Sequence, residues 1–151
     1  VFQRRDTMEL SASLEDYIET IYHIVEEKQV ARAKNIADHL GVSRASVTEA
    51  LRTLSSKGLI NYTPYEVITM TDSGREVAED VIFRHTTLKN FFTQILTIDN
   101  KTAEEGACKI EHAAPPQVIN RMIDFMKFVE SSPQVDKGFI DSFRDFVQKN
   151  R

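Results

Sequence analysis

The run Ile36-Ala37-Asp38-His39-Leu40-Gly41-Val42-Ser43-Arg44-Ala45-Ser46-Val47-Thr48-Glu49-Ala50-Leu51 decides the fold of this 151-residue chain. Ala33, Ile36, Ala37 and Leu40 share one side of a short helix predicted over 31–40. Gly41-Val42 interrupts it, and Ser43 can cap a second helix that runs to about Lys57, with Gly58 as its stop. Val47, Ala50, Leu51 and Leu54 give that second helix its core face. Helix, tight glycine turn, helix is a helix-turn-helix.

Outward from this run the signals alternate cleanly. Residues 59–62 and 66–70 are β-prone and joined by Thr63-Pro64-Tyr65, which reads as a hairpin of the kind called a wing. Upstream, Leu14, Tyr17, Ile18, Ile21, Tyr22, Ile24 and Val25 have helical spacing, with Ser13 as the expected N-cap and Asp16 three residues on. Downstream, Thr71-Asp72-Ser73-Gly74 punctuates before helices predicted over 73–96 and 99–113. Pro115-Pro116 cuts the second of these. An amphipathic helix over 117–129 follows, then Ser131-Ser132-Pro133 and a last segment with Phe139, Phe143 and Phe146 at helical spacing. The expected fold is mainly α: a winged helix-turn-helix DNA-binding domain over 8–72, then an all-helical domain over 73–151.

Composition bounds the function. Apolar content of 41% and charged content of 28% belong to an ordinary soluble protein, and no apolar run approaches a membrane span of about 20 residues. The first residues have no apolar h-region, Met8 is the expected native start, and one cysteine cannot make an internal disulfide. A reducing cytoplasm is the expected location. The net charge of −4 is unevenly spread. Residues 28–75 hold seven Lys/Arg against four Asp/Glu, a local surplus of three, which leaves −7 on the remainder. A basic segment in an acidic chain is compatible with DNA contact.

In the second helix of the turn, Ser43, Arg44, Ala45, Ser46, Thr48, Glu49 and Arg52 lie off the core face. Small polar residues let a helix N-terminus enter the major groove, where hydroxyls, a Thr methyl and Arg meet base edges and phosphates. Arg32, Lys34, Lys57 and Tyr65 of the wing are the expected backbone contacts. The partner implied is double-stranded DNA.

A second chemistry centres on Cys108-Lys109-Ile110-Glu111-His112. On a helix, residues three and four apart share a face, so the thiol, carboxylate and imidazole can converge. Such a mixed donor set suits a transition metal better than calcium or magnesium. Asp16 and Glu19, three apart on the first helix, and His85 add further donors. Singly, each has a plainer reading: a solvated acidic face, a satisfied histidine, an inert small hydrophobe, a helix-terminal cation. Together they supply six donors.

These residues carry a family resemblance. Leu14-Glu15-Asp16-Tyr17-Ile18-Glu19, Ile36-Ala37 through Thr48, Leu59-Ile60, Thr71-x-x-Gly74, Arg84-His85 and Ile110-Glu111-His112 resemble the metal-dependent repressors of the diphtheria-toxin-repressor and manganese-transport-regulator family, in unbroken order over 14–129. The resemblance implies a winged-helix domain, a helical dimerisation domain with metal bound between the two, and a homodimer on palindromic operators upstream of iron or manganese uptake genes. It puts Asp16, Glu19, His85, Cys108, Glu111 and His112 at ligand positions, with Glu104 as an additional candidate. Asp16, Glu19 and the chain length resemble the manganese-responsive branch. Cys108 stands where that branch has a carboxylate and resembles the iron-responsive one. Lys89 stands where the iron branch has a glutamate of its ancillary site, and Glu104 where it has a histidine. The cofactor implied is Fe²⁺ or Mn²⁺, with Fe²⁺ slightly favoured because a thiolate is soft; Zn²⁺, Co²⁺ and Ni²⁺ can bind in vitro. No small-molecule substrate and no membrane partner are expected. Two rival readings are a winged-helix regulator that senses redox state through Cys108 or a small ligand, and a metalloenzyme. No nucleophile elbow or phosphate loop supports the latter.

Overall fold

A computed structural model describes residues 10–133, 135 and 137–150. Met8, the expected start, lies outside the described residues. Among the described residues, seven α-helices and one two-stranded sheet run in the order α1 (Ala12–Lys28), α2 (Ala33–Leu40), α3 (Arg44–Ser56), β1 (Ile60–Asn61), β2 (Thr69–Met70), α4 (Asp72–Asn90), α5 (Asn100–Ala113), α6 (Pro116–Ser131) and α7 (Lys137–Lys149). The chain divides into two compact units between Ile82 and Phe83, within α4.

In the first unit, α1 begins two residues earlier than its apolar spacing suggested. Ser11, not Ser13, is the N-cap, and its hydroxyl accepts from the Leu14 amide at 3.3 Å. Gln29 closes the helix in a left-handed conformation, its amide donating to the Val25 carbonyl. Ile18, Ile21, Ile36, Val47, Leu51 and Leu54 are fully buried in one core with Leu59 and Ile68. Burial of such aliphatic side chains contributes about 1.5–3 kcal/mol each. Gly41 ends α2 at φ 65°, a left-handed turn that costs glycine nothing.

The wing is shorter than its β-prone sequence. Only Ile60↔Met70 and Asn61↔Thr69 pair, antiparallel, while Ile68 exchanges both backbone hydrogen bonds with Ala31. Residues 63–67 form the tip, where the Glu66 amide donates to the Thr63 carbonyl across Pro64-Tyr65 and Tyr65 takes φ 68°. The ladder ends at Asn61↔Thr69, and the next residue, Ile68, gives its backbone groups to Ala31 instead.

Thr71 fastens the wing to α4. Its hydroxyl donates to the Gly58 carbonyl at 2.7 Å and accepts from the Gly74 amide at 3.0 Å, capping the helix one residue earlier than expected. Gly74 is there for space: a Cβ would stand 1.8 Å from the Leu59 carbonyl oxygen.

In the second unit α4 does not continue as α-helix to Leu96. Phe91–Ile95 winds as a π-helical turn, closed by the Leu96 amide on the Phe91 carbonyl. The Thr93 hydroxyl back-bonds to the Lys89 carbonyl beside this widened turn. Asp99 caps α5 by accepting from the Thr102 amide, and Pro116 opens α6 at its first turn, where no amide is required. Leu88, Phe92, Ala103, Ala107, Ile119 and Ile123 form the core. The aromatic stripe of α7 does not join it: Phe139, Phe143 and Phe146 are exposed.

Candidate metal centre and nucleic-acid interface

α5 presents Glu104, Cys108, Glu111 and His112 over two turns, and α4 presents His85 and Lys89 one turn apart. One ligand atom from each of Cys108, Glu111 and His112 lies within 4.8 Å of the others. Glu111 is the focus. Its residue is only 4% exposed, with Oε2 3.1 Å from His85 Nδ1 and Oε1 3.2 Å from His112 Nε2. A carboxylate taken out of water needs such partners, because its desolvation is otherwise uncompensated. His85 Nε2 lies 2.8 Å from Glu104 Oε1, and Glu104 Oε2 lies 2.6 Å from Lys89 Nζ. The hydrogen bond to Glu111, reinforced by Glu104, lifts the His85 pKa to about 9 against the opposing cost of burial. The Lys89 ammonium, then His85, holds the Glu104 carboxyl below its ordinary value.

Five expected ligand candidates therefore come together in the second unit: His85, Cys108, Glu111, His112 and Glu104. Their chemistry fits a divalent transition ion. Sulfur, nitrogen and oxygen donors of these types hold such ions at about 2.0–2.3 Å, and one ligand atom each of Cys108, Glu111 and His112 already lies within 4.8 Å of the other two. Asp16 and Glu19 lie in the first unit, half-buried on α1. His23, which the sequence patterns did not single out, stands 3.6 Å from Glu19. Glu19 and His23 are four apart, so helical spacing held that signal.

On the DNA-reading face, Arg32, Lys34, Ser43, Arg44, Ala45, Ser46, Glu49 and Arg52 are exposed. Tyr65 stands fully out at the wing tip, while Thr48 and Lys57 are half-buried. Ser43 caps α3, its hydroxyl accepting from the Ser46 amide at 3.1 Å and lying 2.9 Å from the Ser46 hydroxyl. Thr48 donates its hydroxyl to the Arg44 carbonyl. Ala45, Thr48, Glu49 and Arg52 line a shallow surface groove together with Thr53, which the sequence patterns had not marked.

Comparison with known proteins accounts for both units. Residues 9–68 match the family described as iron dependent repressor, N-terminal DNA binding domain. Residues 71–139 match iron dependent repressor, metal binding and dimerisation domain. The chain belongs to the diphtheria-toxin-repressor and manganese-transport-regulator family of metal-dependent transcriptional repressors. Membership in this family makes it a transcriptional regulator and not an enzyme. It is 37% identical over 119 residues to an uncharacterized HTH-type transcriptional regulator of Methanocaldococcus jannaschii, covering 78% of this chain and 95% of that one. The HTH-type transcriptional regulator MntR of Bacillus pumilus is 33% identical, with 81% and 84% covered. Among solved structures, a manganese-dependent transcriptional repressor in complex with manganese superposes with a TM-score of 0.67 at 28% identity. That match covers 76% of this chain but 53% of the other, so the chain spans about half the length of that repressor. T. acidophilum IdeR gives 0.64 at 26% identity, covering 75% and 53%. Among the described residues no helix is long and apolar enough to cross a membrane.

Proposed function

We propose that this family member is a metal-activated repressor of iron or manganese uptake genes, which binds palindromic operators as a homodimer when Fe²⁺ or Mn²⁺ is bound. The observation that carries the reading is the buried Glu111 carboxylate flanked by His85 and His112, with the Cys108 thiol in the same cluster. Cys108, Glu111, His112 and His85 are the ligands proposed in the second unit. Asp16 and Glu19 are proposed as metal ligands on the sequence resemblance. A bound divalent ion supplies positive charge among these carboxylates and is coupled to operator binding, a coupling of about 1–3 kcal/mol or 5–150-fold in typical cases.

A thiolate favours Fe²⁺ over the harder Mn²⁺. The manganese named for the 28%-identical repressor argues for the other ion. The bases are read from the N-terminus of α3, with Arg44, Ala45, Ser46, Glu49 and Arg52 at the groove and Arg32, Lys34, Lys57 and Tyr65 on the backbone. The dimer forms through the apolar face of Phe91, Ile95, Val118, Met122 and Phe125.

The test is operator binding by fluorescence polarisation, run anaerobically at fixed salt because affinity depends on it. Binding is measured in chelator and then with graded Fe²⁺ or Mn²⁺. Affinity that rises only with metal supports the reading, and the ion acting at the lower free concentration identifies the signal. Equal affinity with and without metal overturns it.

A further inference from the structure

The ligand cluster contains a cation of its own. His85 stands between two carboxylates, with Nδ1 3.1 Å from Glu111 and Nε2 2.8 Å from Glu104. On the Glu111 side lie Cys108 and His112, the other members of the convergent donor set. On the Glu104 side lies the Lys89 ammonium, 2.6 Å from the second oxygen of that carboxylate. Imidazole with a carboxylate at each nitrogen has the makings of two cation places, one at each end of the ring. At one end lie the donors proposed above for a divalent ion. At the other, a positive charge is already tethered to α4, one helical turn from His85.

We propose that Lys89 and Glu104 are positioning residues that make this a one-ion centre. The Lys89 ammonium takes the place of a second ion at Glu104, and the Lys89–Glu104–His85 chain orients the ring. Glu104 accepts from the Nε2–H of His85, which leaves Nδ1, the nitrogen facing Glu111, as the metal ligand. An outer carboxylate that fixes the tautomer and aim of a ligating imidazole is a recurrent arrangement around bound metals. Here the outer carboxylate is itself charge-compensated, so a second divalent ion meets an ammonium and not a free donor. Removing the ammonium and adding a carboxylate at the same position turns that place into a donor set of residue 89, Glu104 and His85. This inference rests on the metal-binding reading above.

The experiment counts ions. The full chain is freed of metal and titrated with Mn²⁺, followed by electron paramagnetic resonance and calorimetry, for the wild type, Lys89→Arg and Lys89→Glu. Circular dichroism of the metal-free proteins checks that each is folded. One ion per subunit in the wild type and Lys89→Arg, and two in Lys89→Glu, supports the proposal. Two ions in the wild type, or one in Lys89→Glu, overturns it. A wild type that binds none sinks the metal reading itself. A second readout follows the His85 ring nitrogens by ¹⁵N NMR in the Zn²⁺-loaded protein. Wild type and Lys89→Arg show a metal-bound Nδ1 and a protonated Nε2, whereas Lys89→Gln shows the two tautomers mixed. An unaltered His85 signature in Lys89→Gln removes the positioning role.

Discussion

Glu111 and His85 set the electrostatics of the centre. The imidazole donates toward the most deeply buried carboxylate of the cluster and keeps a pKa of about 9, against an unfolded value of about 6.5. A folded pKa above the unfolded one stabilises the fold while the cation persists. The contribution is complete below about pH 6.5 and is lost as pH rises through 9. We expect the melting temperature of the metal-free protein to decline between pH 7 and 9.5, and His85→Gln to flatten much of that decline. An equally steep decline in the variant would assign the slope elsewhere. The convergence of Cys108, Glu111 and His112 was legible from sequence because three- and four-residue spacings share a helical face. The bonds from His85 to Glu104 and Glu111 were not. They depend on how α4 lies against α5, which no local spacing encodes.

At the scale of elements, the helix-turn-helix was readable because glycine, caps and apolar periodicity agreed. The misreadings fell where tertiary or backbone detail decides. Both Ser11 and Ser13 are acceptable caps by type, and only the backbone path selects Ser11. The π-helical turn at Phe91–Ile95 leaves no distinct apolar period over so few residues. Thr71-x-x-Gly74 looked like punctuation and is a clamp, joining the end of α3, the wing and α4 through Gly58, Leu59 and Thr71. Gly74→Ala places a methyl 1.8 Å from a backbone oxygen, so the start of α4 must shift. Overpacking of this kind costs about 1–3 kcal/mol, occasionally more. Urea unfolding should report a loss of that size, with operator affinity falling because the wing is displaced. A variant as stable as the wild type would mean that the contact is readily relieved.

The whole molecule belongs to a family in which a DNA-binding unit and a metal-binding, dimerising unit share one chain. That division was legible from the wing, the punctuation after it and the helical remainder. The α7 stripe shows the limit of periodicity, which marks an apolar face without naming what covers it; its three phenylalanines are exposed. The second apolar surface, on α6 beside the π-helical turn, has a clearer expected role. Phe125, edge-to-face with Phe91 at 6.0 Å between ring centroids, lines it. Phe125→Arg should shift the protein to monomer in sedimentation at micromolar concentration. Operator affinity should then fall at least about tenfold, because two linked half-site contacts become one. A variant that stays dimeric would move the interface to another face.

The most direct test of the account compares the wild type with Glu111→Gln, which keeps the shape of the side chain and removes its charge. Operator affinity is measured by anaerobic fluorescence polarisation at fixed salt, in chelator and at saturating Fe²⁺. The account predicts a metal-induced rise of about 5–150-fold in the wild type and none in Glu111→Gln, with equal metal-free affinities. Equal metal stimulation of the two proteins would contradict it.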